Sequence, residues 1–176
     1  MTGGIHSWRQ VIEQALDMRK AQLIQQIITS LSDSLALLEK AARASHAEAT
    51  HESSKAESKY DTRGLEAAYL AGGQARQAKE ILDSIKLYRA LPVRDFAPEE
   101  AIDVVALVEL DVDGTRALYF IGPRNGGLVI ECQRKEITVI TPQSPLGQHL
   151  MGKKAGQRWT AKLGGSLAKC HIVSVS

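Results

Sequence analysis

Apolar residues between Ser7 and Ala44 recur every three or four positions, and this stretch contains neither Gly nor Pro. Such spacing predicts an α-helix with one apolar face. The strongest part of that face alternates steps of three and four, as in a coiled coil. Its members are Ile28, Leu31, Leu35, Leu38 and Ala42. At 1.5 Å per residue this helix would be roughly 55 Å long, so it needs a partner of similar length.

A second stretch with helical spacing provides a partner within the same chain. It runs from Leu65 to Arg89 and ends before Pro92, because proline interrupts helical hydrogen bonding. The predicted positions of this face are Leu65, Ala68 or Tyr69, Gly72, Ala75 or Arg76, Ala78, Leu82, Ile85 and Tyr88 or Arg89. Small residues such as Gly72 predict a close approach of the two helices. The first half of the chain is therefore predicted to be a long antiparallel helical hairpin, a coiled coil.

The segment between the two helices, residues 45–63, lacks large aliphatic side chains and is rich in polar ones. It is predicted to form the tip of the hairpin, with the turn near residues 50–54. Ser54 and Glu57 fit a capping box, in which the serine caps the second helix and the glutamate reaches back to the cap.

The apolar period changes after Pro92, where short β-type runs alternate with turn residues. The predicted strands are residues 104–108, 117–121, 128–130, 137–140, 158–162 and 170–175. Turns are predicted at Asp113-Gly114, in the glycine-rich segment 122–127 as a hairpin turn, and at Gly164-Gly165. Ser144 and Pro145 predict the start of one short helix, since serine caps helices and proline suits their first position.

These patterns predict an α+β chain with three parts. The helical hairpin spans residues 1–91, a linker containing two prolines spans 92–100, and an antiparallel sheet domain with one short helix spans 101–176.

Composition narrows the class of protein. The chain has 176 residues, 44% hydrophobic and 24% charged, which is typical of folded globular proteins. No apolar run approaches the roughly 18 to 20 residues of a membrane span, and the first residues lack the apolar core of a signal peptide. We therefore expect a cytoplasmic protein without a membrane partner. Cys132 and Cys170 lack metal-ligand spacing and are expected to be buried thiols.

The net charge of +2 comes from interspersed positive and negative residues, unlike the clustered basic surface of a protein that binds nucleic acid by itself. Any contact with nucleic acid is therefore expected to be indirect, through a partner. Lys153, Lys154 and Arg158 form a basic cluster in the second half. This cluster is interpreted either as a contact for an acidic protein surface or as solubilising charge.

Residues 137–156 resemble the C-terminal domain of the Gre-type bacterial transcript cleavage factors. In that family a strand is followed by Ser-Pro, two apolar positions, Leu-x-Gly-Lys and a further Gly. Here those places are occupied by Ser144, Pro145, Leu146, Leu150, Gly152, Lys153 and Gly156. The order of a long hairpin before an FKBP-like sheet domain also resembles the family.

The resemblance implies a factor that binds RNA polymerase and is not itself an enzyme. The sheet domain would dock at the rim of the polymerase's secondary channel while the hairpin enters the channel. It implies no small-molecule substrate and no cofactor of its own, only the Mg²⁺ of the polymerase. Nascent RNA and DNA would be met only through the elongation complex. The partner-binding residues implied are Lys55, Lys59, Ser144, Pro145, Leu146 and Lys153.

Cleavage-stimulating members of the family carry two acidic residues at the tip, which help hold a second Mg²⁺ and its attacking water. Carboxylates suit this task, because Mg²⁺ keeps several of its water ligands and takes only one or two carboxylates from a protein. The tip acids considered for catalysis are Glu52, Glu57 and Asp61, of which Glu52 and Glu57 are the candidate metal ligands.

The tip also departs from the family pattern. When Lys55 and Tyr60 are matched to the family, Ser53 and Ala56 stand where cleavage factors carry their acids. Glu52 and Glu57 are then each displaced by one residue, which corresponds to about 100° of helix rotation. Two functions therefore remain open for a Gre-type factor, namely stimulation of RNA cleavage and regulation by blocking the channel without cleavage.

Parts of the sequence are also compatible with two functions of other classes. An FKBP-like domain could be a prolyl isomerase, but such pockets are walled by aromatic side chains and only 5% of this chain is aromatic. Alternatively, the hairpin could be an adaptor that pairs with the helices of another protein.

Overall fold

The structure is a computed structural model that describes the backbone of residues 4–49, 63–97 and 99–176. Side chains are described for residues 20–45, 69–97 and 99–176. The helices are α1 (Gly4–Ala49), α2 (Arg63–Arg89) and α3 (Pro145–Leu150). The strands are β1 (Leu107–Val112), β2 (Thr115–Ile121), β3 (Val129–Cys132), β4 (Lys135–Ile140), β5 (Arg158–Leu163) and β6 (Ser166–Val175). The predicted α+β class is confirmed. Within the described ranges, no helix is both long and apolar enough to cross a membrane.

Helix α1 continues to Ala49, beyond the end that the apolar spacing predicts at Ala44. The added residues include Ala47 and Ala49 and contain neither Gly nor Pro, so helix propensity alone supports the extension. The predicted turn near residues 50–54 and the capping box of Ser54 and Glu57 lie outside the described residues.

The segment Ile28–Leu87 forms one compact unit that contains parts of α1 and α2. On α1, Ile28 and Leu31 are buried. The partly covered positions that continue this face are Leu35, Leu38 and Ala42, as the sequence predicts. On α2 the covered or partly covered positions are Gly73, Gln74, Ala78, Ile81, Asp83, Ser84 and Ile85.

The prediction for α2 is wrong at several positions. Leu82 is 44% exposed, and Gly72, Ala75 and Arg76 are exposed as well. Tyr69, given as an alternative to Ala68, is 76% exposed. The covered face instead contains Ile81. It runs from Gln74 to Ala78, Ile81 and Ile85 in steps of four, three and four residues, as in a coiled coil.

The predicted close approach of helices at Gly72 is also not observed. A Cβ atom added at Gly72 or at Gly73 would meet no heavy atom within 4 Å. The two glycines therefore weaken α2 without allowing tighter packing.

Substituting alanine for these glycines should stabilise the protein. We expect Gly72→Ala and Gly73→Ala each to raise the free energy of unfolding by about 1 kcal/mol, because alanine restricts the unfolded chain and favours helix. The gain would be measured by urea unfolding followed by circular dichroism at the helical band. Gly114→Ala is the matched control, since Gly114 has φ +89° and alanine there should destabilise. Unchanged or lowered stability in both α2 variants would contradict the open surroundings of these positions.

The strand order of the sheet is β3-β4-β2-β1-β6-β5. All neighbouring pairs are antiparallel except β2 and β4, which are parallel, with Leu118 opposite Ile137. The predicted antiparallel sheet is therefore wrong, because the observed sheet is mixed. The hairpin turn predicted at residues 122–127 is wrong for the same reason. That segment connects β2 to β3, and these two strands are not neighbours in the sheet. Strand β4 lies between them.

The turn between β3 and β4 was not predicted. Gln133 and Arg134 have φ of 53° and 63°, the left-handed backbone that two-residue hairpins require. The sequence signal for such a turn is Asn-Gly or Asp-Gly, and Gln-Arg does not carry it. Asp113-Gly114 and Gly164-Gly165, in contrast, form the turns that the sequence predicts.

The first strand begins later than predicted, at Leu107 and not at residue 104. Val104 and Val105 form a turn in which Val105 has φ 76°, an uncommon conformation for a β-branched residue. Tertiary contacts hold it there, since Val105 is 3% exposed and its amide donates to the Ile121 carbonyl at 2.8 Å.

The sheet belongs to the compact unit made by the segments on either side of Ile28–Leu87. One face of the sheet packs against α3 and the linker, and its core includes Phe96, Ile102, Leu110, Ile121, Leu150 and Ile172. The opposite face meets α1, where Leu23 lines a cavity of about 350 Å³ together with Leu107 and Cys132. Cys132 and Cys170 are both buried, as predicted. Burial, and the nearby Asp113 carboxylate, raise the pKa of the Cys170 thiol.

The end of α2 is fixed to the sheet by Tyr88. Its hydroxyl donates a hydrogen bond to the Arg124 carbonyl at 2.6 Å, and the residue is 1% exposed. Burial raises the pKa of Tyr88 well above its usual value. A Cβ atom at Gly122 would lie 2.5 Å from this hydroxyl, so glycine is needed where the two segments meet.

Candidate functional site

The acidic tip predicted from the sequence lies outside the described residues. This holds for the candidate catalytic and metal-binding residues Glu52, Glu57 and Asp61, and for the candidate contacts Lys55 and Lys59. Among the described residues, no group of three or more His, Cys, Asp or Glu side chains is arranged to hold a metal ion. The remaining predicted residues fall in and around α3.

Ser144 organises the start of α3. It has extended backbone angles, φ −66° and ψ 154°, and its Oγ accepts a hydrogen bond from the Gly147 amide at 3.1 Å. The same hydroxyl donates to the Thr141 carbonyl at 2.7 Å. Pro145 occupies the first helical position, where a missing N–H leaves no partner unsatisfied. The Ser-Pro pair thus turns the chain sharply from the end of β4 into α3.

The end of α3 is fixed to the segment that follows the linker. Leu150 is fully buried in the core, and Leu146 packs partly against it. Backbone hydrogen bonds run in both directions between the two segments. The Gly152 amide donates to the Ile102 carbonyl at 3.0 Å, and the Ile102 amide donates to the Lys153 carbonyl at 2.7 Å.

Two glycines then redirect the chain. Gly152 and Gly156 have φ of 76° and 81°, a conformation that glycine adopts without steric cost. The Lys153 ammonium lies 5.2 Å from the centre of the Trp159 ring, within the range of a cation–π contact. Of the four residues predicted here as partner contacts, Ser144, Leu146 and Lys153 thus make contacts within the domain, and Pro145 is exposed.

Solved structures similar to this chain were found, although no protein-family model and no curated protein matches it. The crystal structure of GreA factor homolog 1 (Gfh1) of Thermus thermophilus is 16% identical, with a TM-score of 0.37. The alignment covers 88% of this chain and 93% of that one. Thermus aquaticus Gfh1 is 20% identical with a TM-score of 0.35, over 84% of this chain and 92% of that one.

A third similar structure is the transcription elongation factor GreA/GreB from Nitrosomonas europaea. It is 18% identical with a TM-score of 0.34, and the alignment covers 67% of this chain and 95% of that one. The structural neighbours are Gre factors and their homologues. This is the family that the motif from Ser144 to Gly156 resembles.

A buried lysine near the linker was missed by the sequence analysis. Lys20 of α1 is 1% exposed, and its ammonium donates to the Arg94 carbonyl at 2.5 Å. It also lies 3.6 Å from Asp95 Oδ1 and 4.9 Å from the centre of the Phe96 ring. The lysine therefore joins α1 to three consecutive residues of the linker.

The side chains around this contact form a small network. The Arg94 guanidinium stacks 3.9 Å from the centre of the Phe96 ring and also pairs with Glu100. The hydrogen bond from Arg94 lowers the pKa of the Glu100 carboxyl, and a hydrogen bond from the Ala97 amide lowers it further. The sequence does contain a signal for the burial of Lys20. Lys20 follows Leu16 by four residues and precedes Leu23 by three, which places it on the apolar face of the helix.

The charges of the sheet domain are unevenly distributed along the chain. Residues 137–176 contain five Lys and Arg residues and no Asp or Glu. Three of these, Arg158, Lys162 and Lys169, lie on β5 and β6 and are exposed. Within the described ranges, none of the three lies within ion-pair distance of a carboxylate. Of the predicted basic cluster, Arg158 thus shares a sheet face with Lys162 and Lys169, whereas Lys153 lies over Trp159.

Proposed function

We propose that this protein is a Gre-type transcription elongation factor of the cytoplasm, which binds RNA polymerase and acts through the polymerase active site. The segment from Ser144 to Gly156 carries the proposal. Its residues fit the Gre motif, and most of them shape one local geometry. Ser144 and Pro145 start the helix, Gly152 and Gly156 form the bends, and the two leucines pack against the core. Such a motif is stronger support than the same letters in an irregular loop.

The length of the helices supports the way in which such a factor would act. Helix α1 has 46 residues, which corresponds to roughly 70 Å at 1.5 Å per residue. In the proposal α1 and α2 form a coiled-coil hairpin, and the covered positions at Ile81 and Ile85 are its α2 seam. The hairpin enters the secondary channel, and the FKBP-like sheet domain docks at the channel rim through the exposed surface around Pro145.

At the tip, Glu52, Glu57 and Asp61 would help the polymerase to hydrolyse backtracked RNA. Of these, Glu52 and Glu57 would share a Mg²⁺ ion in the complex with the polymerase and orient its attacking water, and the ion would supply Lewis-acid stabilisation. Lys55 and Lys59 would balance the negative charge of RNA phosphates or of the channel wall. The protein has no active site of its own in this proposal.

One feature of the sequence favours a second candidate function. Ser53 and Ala56 stand where the resemblance to cleavage factors would place acids. A hairpin that enters the channel without correctly placed carboxylates would block access to the active site and inhibit the polymerase.

An RNA-cleavage assay on purified backtracked elongation complexes tests the proposal. We expect the wild-type factor to shorten the RNA, and Glu52→Ala/Glu57→Ala to abolish the shortening while binding to polymerase persists. Because each carboxylate acts at the metal, the loss should be at least about 100-fold. Glu80→Ala, at an exposed position of α2, is the matched control and should cleave normally.

Three other results of these assays would change the proposed function. Binding and inhibition without RNA shortening by the wild-type factor would establish the channel-blocking function and reject cleavage. Full cleavage by the double variant would reject the choice of acids. Failure to bind polymerase at all would reject both functions.

A further inference from the structure

The last strand of the sheet order, β5, has an open edge. It pairs with β6 on one side, and no strand of the described part of the chain pairs with the other side. The two-residue turn Gly164-Gly165 makes Leu163 and Ser166 the first hydrogen-bonded pair of the hairpin. In an antiparallel pair, every second residue is hydrogen-bonded to the partner strand. The N–H and C=O groups of Arg158, Thr160 and Lys162 therefore point away from β6, toward the open edge.

The side chains at these three positions are exposed and share one face of the sheet. Register places His171, Lys169 and Leu167 of β6 beside them on the same face. We call these six residues the basic edge. Leu167, at 77% exposure, is its single apolar member.

A shallow depression of about 790 Å³ lies beside this edge, lined in part by Arg158, Lys169 and His171. Its two carboxylates are already engaged by backbone amides. Asp111 accepts from Gly114 at 2.8 Å, and Asp113 accepts from Lys169 at 2.9 Å. Within the described ranges, neither Arg158 nor Lys169 forms an ion pair with these carboxylates.

We propose that the basic edge is a docking strand for an extended acidic segment of another protein. That segment adds to β5 as a seventh strand, with its backbone bonded to the outward amides and carbonyls of β5. Its carboxylates lie over Arg158, Lys162 and Lys169, and an apolar side chain covers Leu167. This inference does not depend on the proposed role in transcription.

The geometry favours a peptide over the other occupants. Single-stranded nucleic acid binds on exposed aromatic platforms, whereas the one aromatic ring of β5, Trp159, is partly buried and carries Lys153 over it. A second copy of the chain is disfavoured as well. Antiparallel pairing of two β5 strands about Thr160 would set Arg158 against Lys162, and like charges in facing positions repel.

Binding of a labelled acidic peptide to the full-length protein tests the proposal. The probe alternates Glu with Val and Thr, and binding is followed by fluorescence anisotropy. Two control peptides are matched to it. In one, Lys replaces Glu, which tests the charge; the other carries N-methyl groups at alternate amides, which removes the backbone hydrogen bonds. We expect saturable binding of the first probe only, weakened at least about tenfold by Arg158→Glu/Lys162→Glu. The control Lys79→Glu/Lys135→Glu, an equal charge change at two exposed positions away from β5, should bind normally.

Amide hydrogen exchange distinguishes strand pairing from simple charge attraction, because attraction alone would not protect individual backbone amides of β5. On peptide binding, the amides of Arg158, Thr160 and Lys162 should become protected, while the Ala161 amide, already bonded to β6, should not change. Circular dichroism confirms that the variants are folded.

Two results would overturn the inference. Equal affinity for the N-methylated probe, together with displacement by single-stranded RNA, would identify a site for phosphates and not a docking strand. Absence of binding to the acidic probe would mean that the charges of β5 serve only to prevent aggregation at an open edge.

Discussion

Replacing Gly147 with alanine is expected to lower the free energy of unfolding of the sheet domain by about 3 kcal/mol or more. A Cβ atom at this position would overlap the Thr141 carbonyl oxygen and lie 2.9 Å from Ser144 Oγ. Neither group can withdraw cheaply. The Thr141 carbonyl accepts hydrogen bonds from both the amide and the hydroxyl of Ser144, and that hydroxyl caps α3.

The matched control is Gly126→Ala, because Gly126 also faces Thr141. There the added Cβ would lie 3.5 Å from Thr141 Cγ2, an ordinary van der Waals contact, and the change should stay within about 0.5 kcal/mol. Urea unfolding followed by Trp159 fluorescence, in a Trp8→Phe background, reports on the sheet domain. Equal stability of the two variants would show that α3 does not approach Thr141 as described.

The second large effect is expected for Lys20→Met. Methionine retains most of the buried aliphatic volume but removes the ammonium from the Arg94 carbonyl and from Asp95. Among the described residues, none donates a hydrogen bond to Asp95 Oδ1, so the ion pair at 3.6 Å is its main compensation. Lys20 is buried but the Asp95 side chain is 28% exposed, so water partly solvates the carboxylate left behind. We therefore expect a loss of about 2 kcal/mol, below that of a fully buried pair.

Lys40→Met serves as the control, since Lys40 is exposed on the same helix and its loss should change stability by less than about 0.5 kcal/mol. A double-mutant cycle with Asp95→Asn isolates the ion pair. The double variant should recover part of the loss, because no unpaired carboxylate is left behind. Additive losses in the cycle would count against coupling between Lys20 and Asp95.

The elements that the sequence predicts well are those encoded by neighbouring residues. The helical spacing from Ser7 onward predicts α1, and Ser144-Pro145 predicts the start of α3. The turns at Asp113-Gly114 and Gly164-Gly165 follow from residues that tolerate positive φ. The fit to the Gre motif also rests on contiguous residues, which is why it could be found without the structure.

The predictions that were wrong concern partners distant in sequence. The position of β4 between β2 and β3 is set by contacts such as Leu118 with Ile137, and no local pattern reports them. Val105 adopts a left-handed backbone against its own preference, because burial and the bond to Ile121 outweigh the cost. On α2, Ile81 and Leu82 are equally apolar, and only packing decides which of them is covered.

By itself, the sequence determined the helices, most strand positions, the caps of α3 and the excess of positive charge after residue 137. Periodicity, capping and charge are properties of short stretches and need no knowledge of what lies across the fold. Tertiary structure alone decided the mixed strand order, the burial of Lys20 and the open edge of β5. Each of these depends on which distant segments meet, as Lys20 and Arg94 do across 74 positions of the chain.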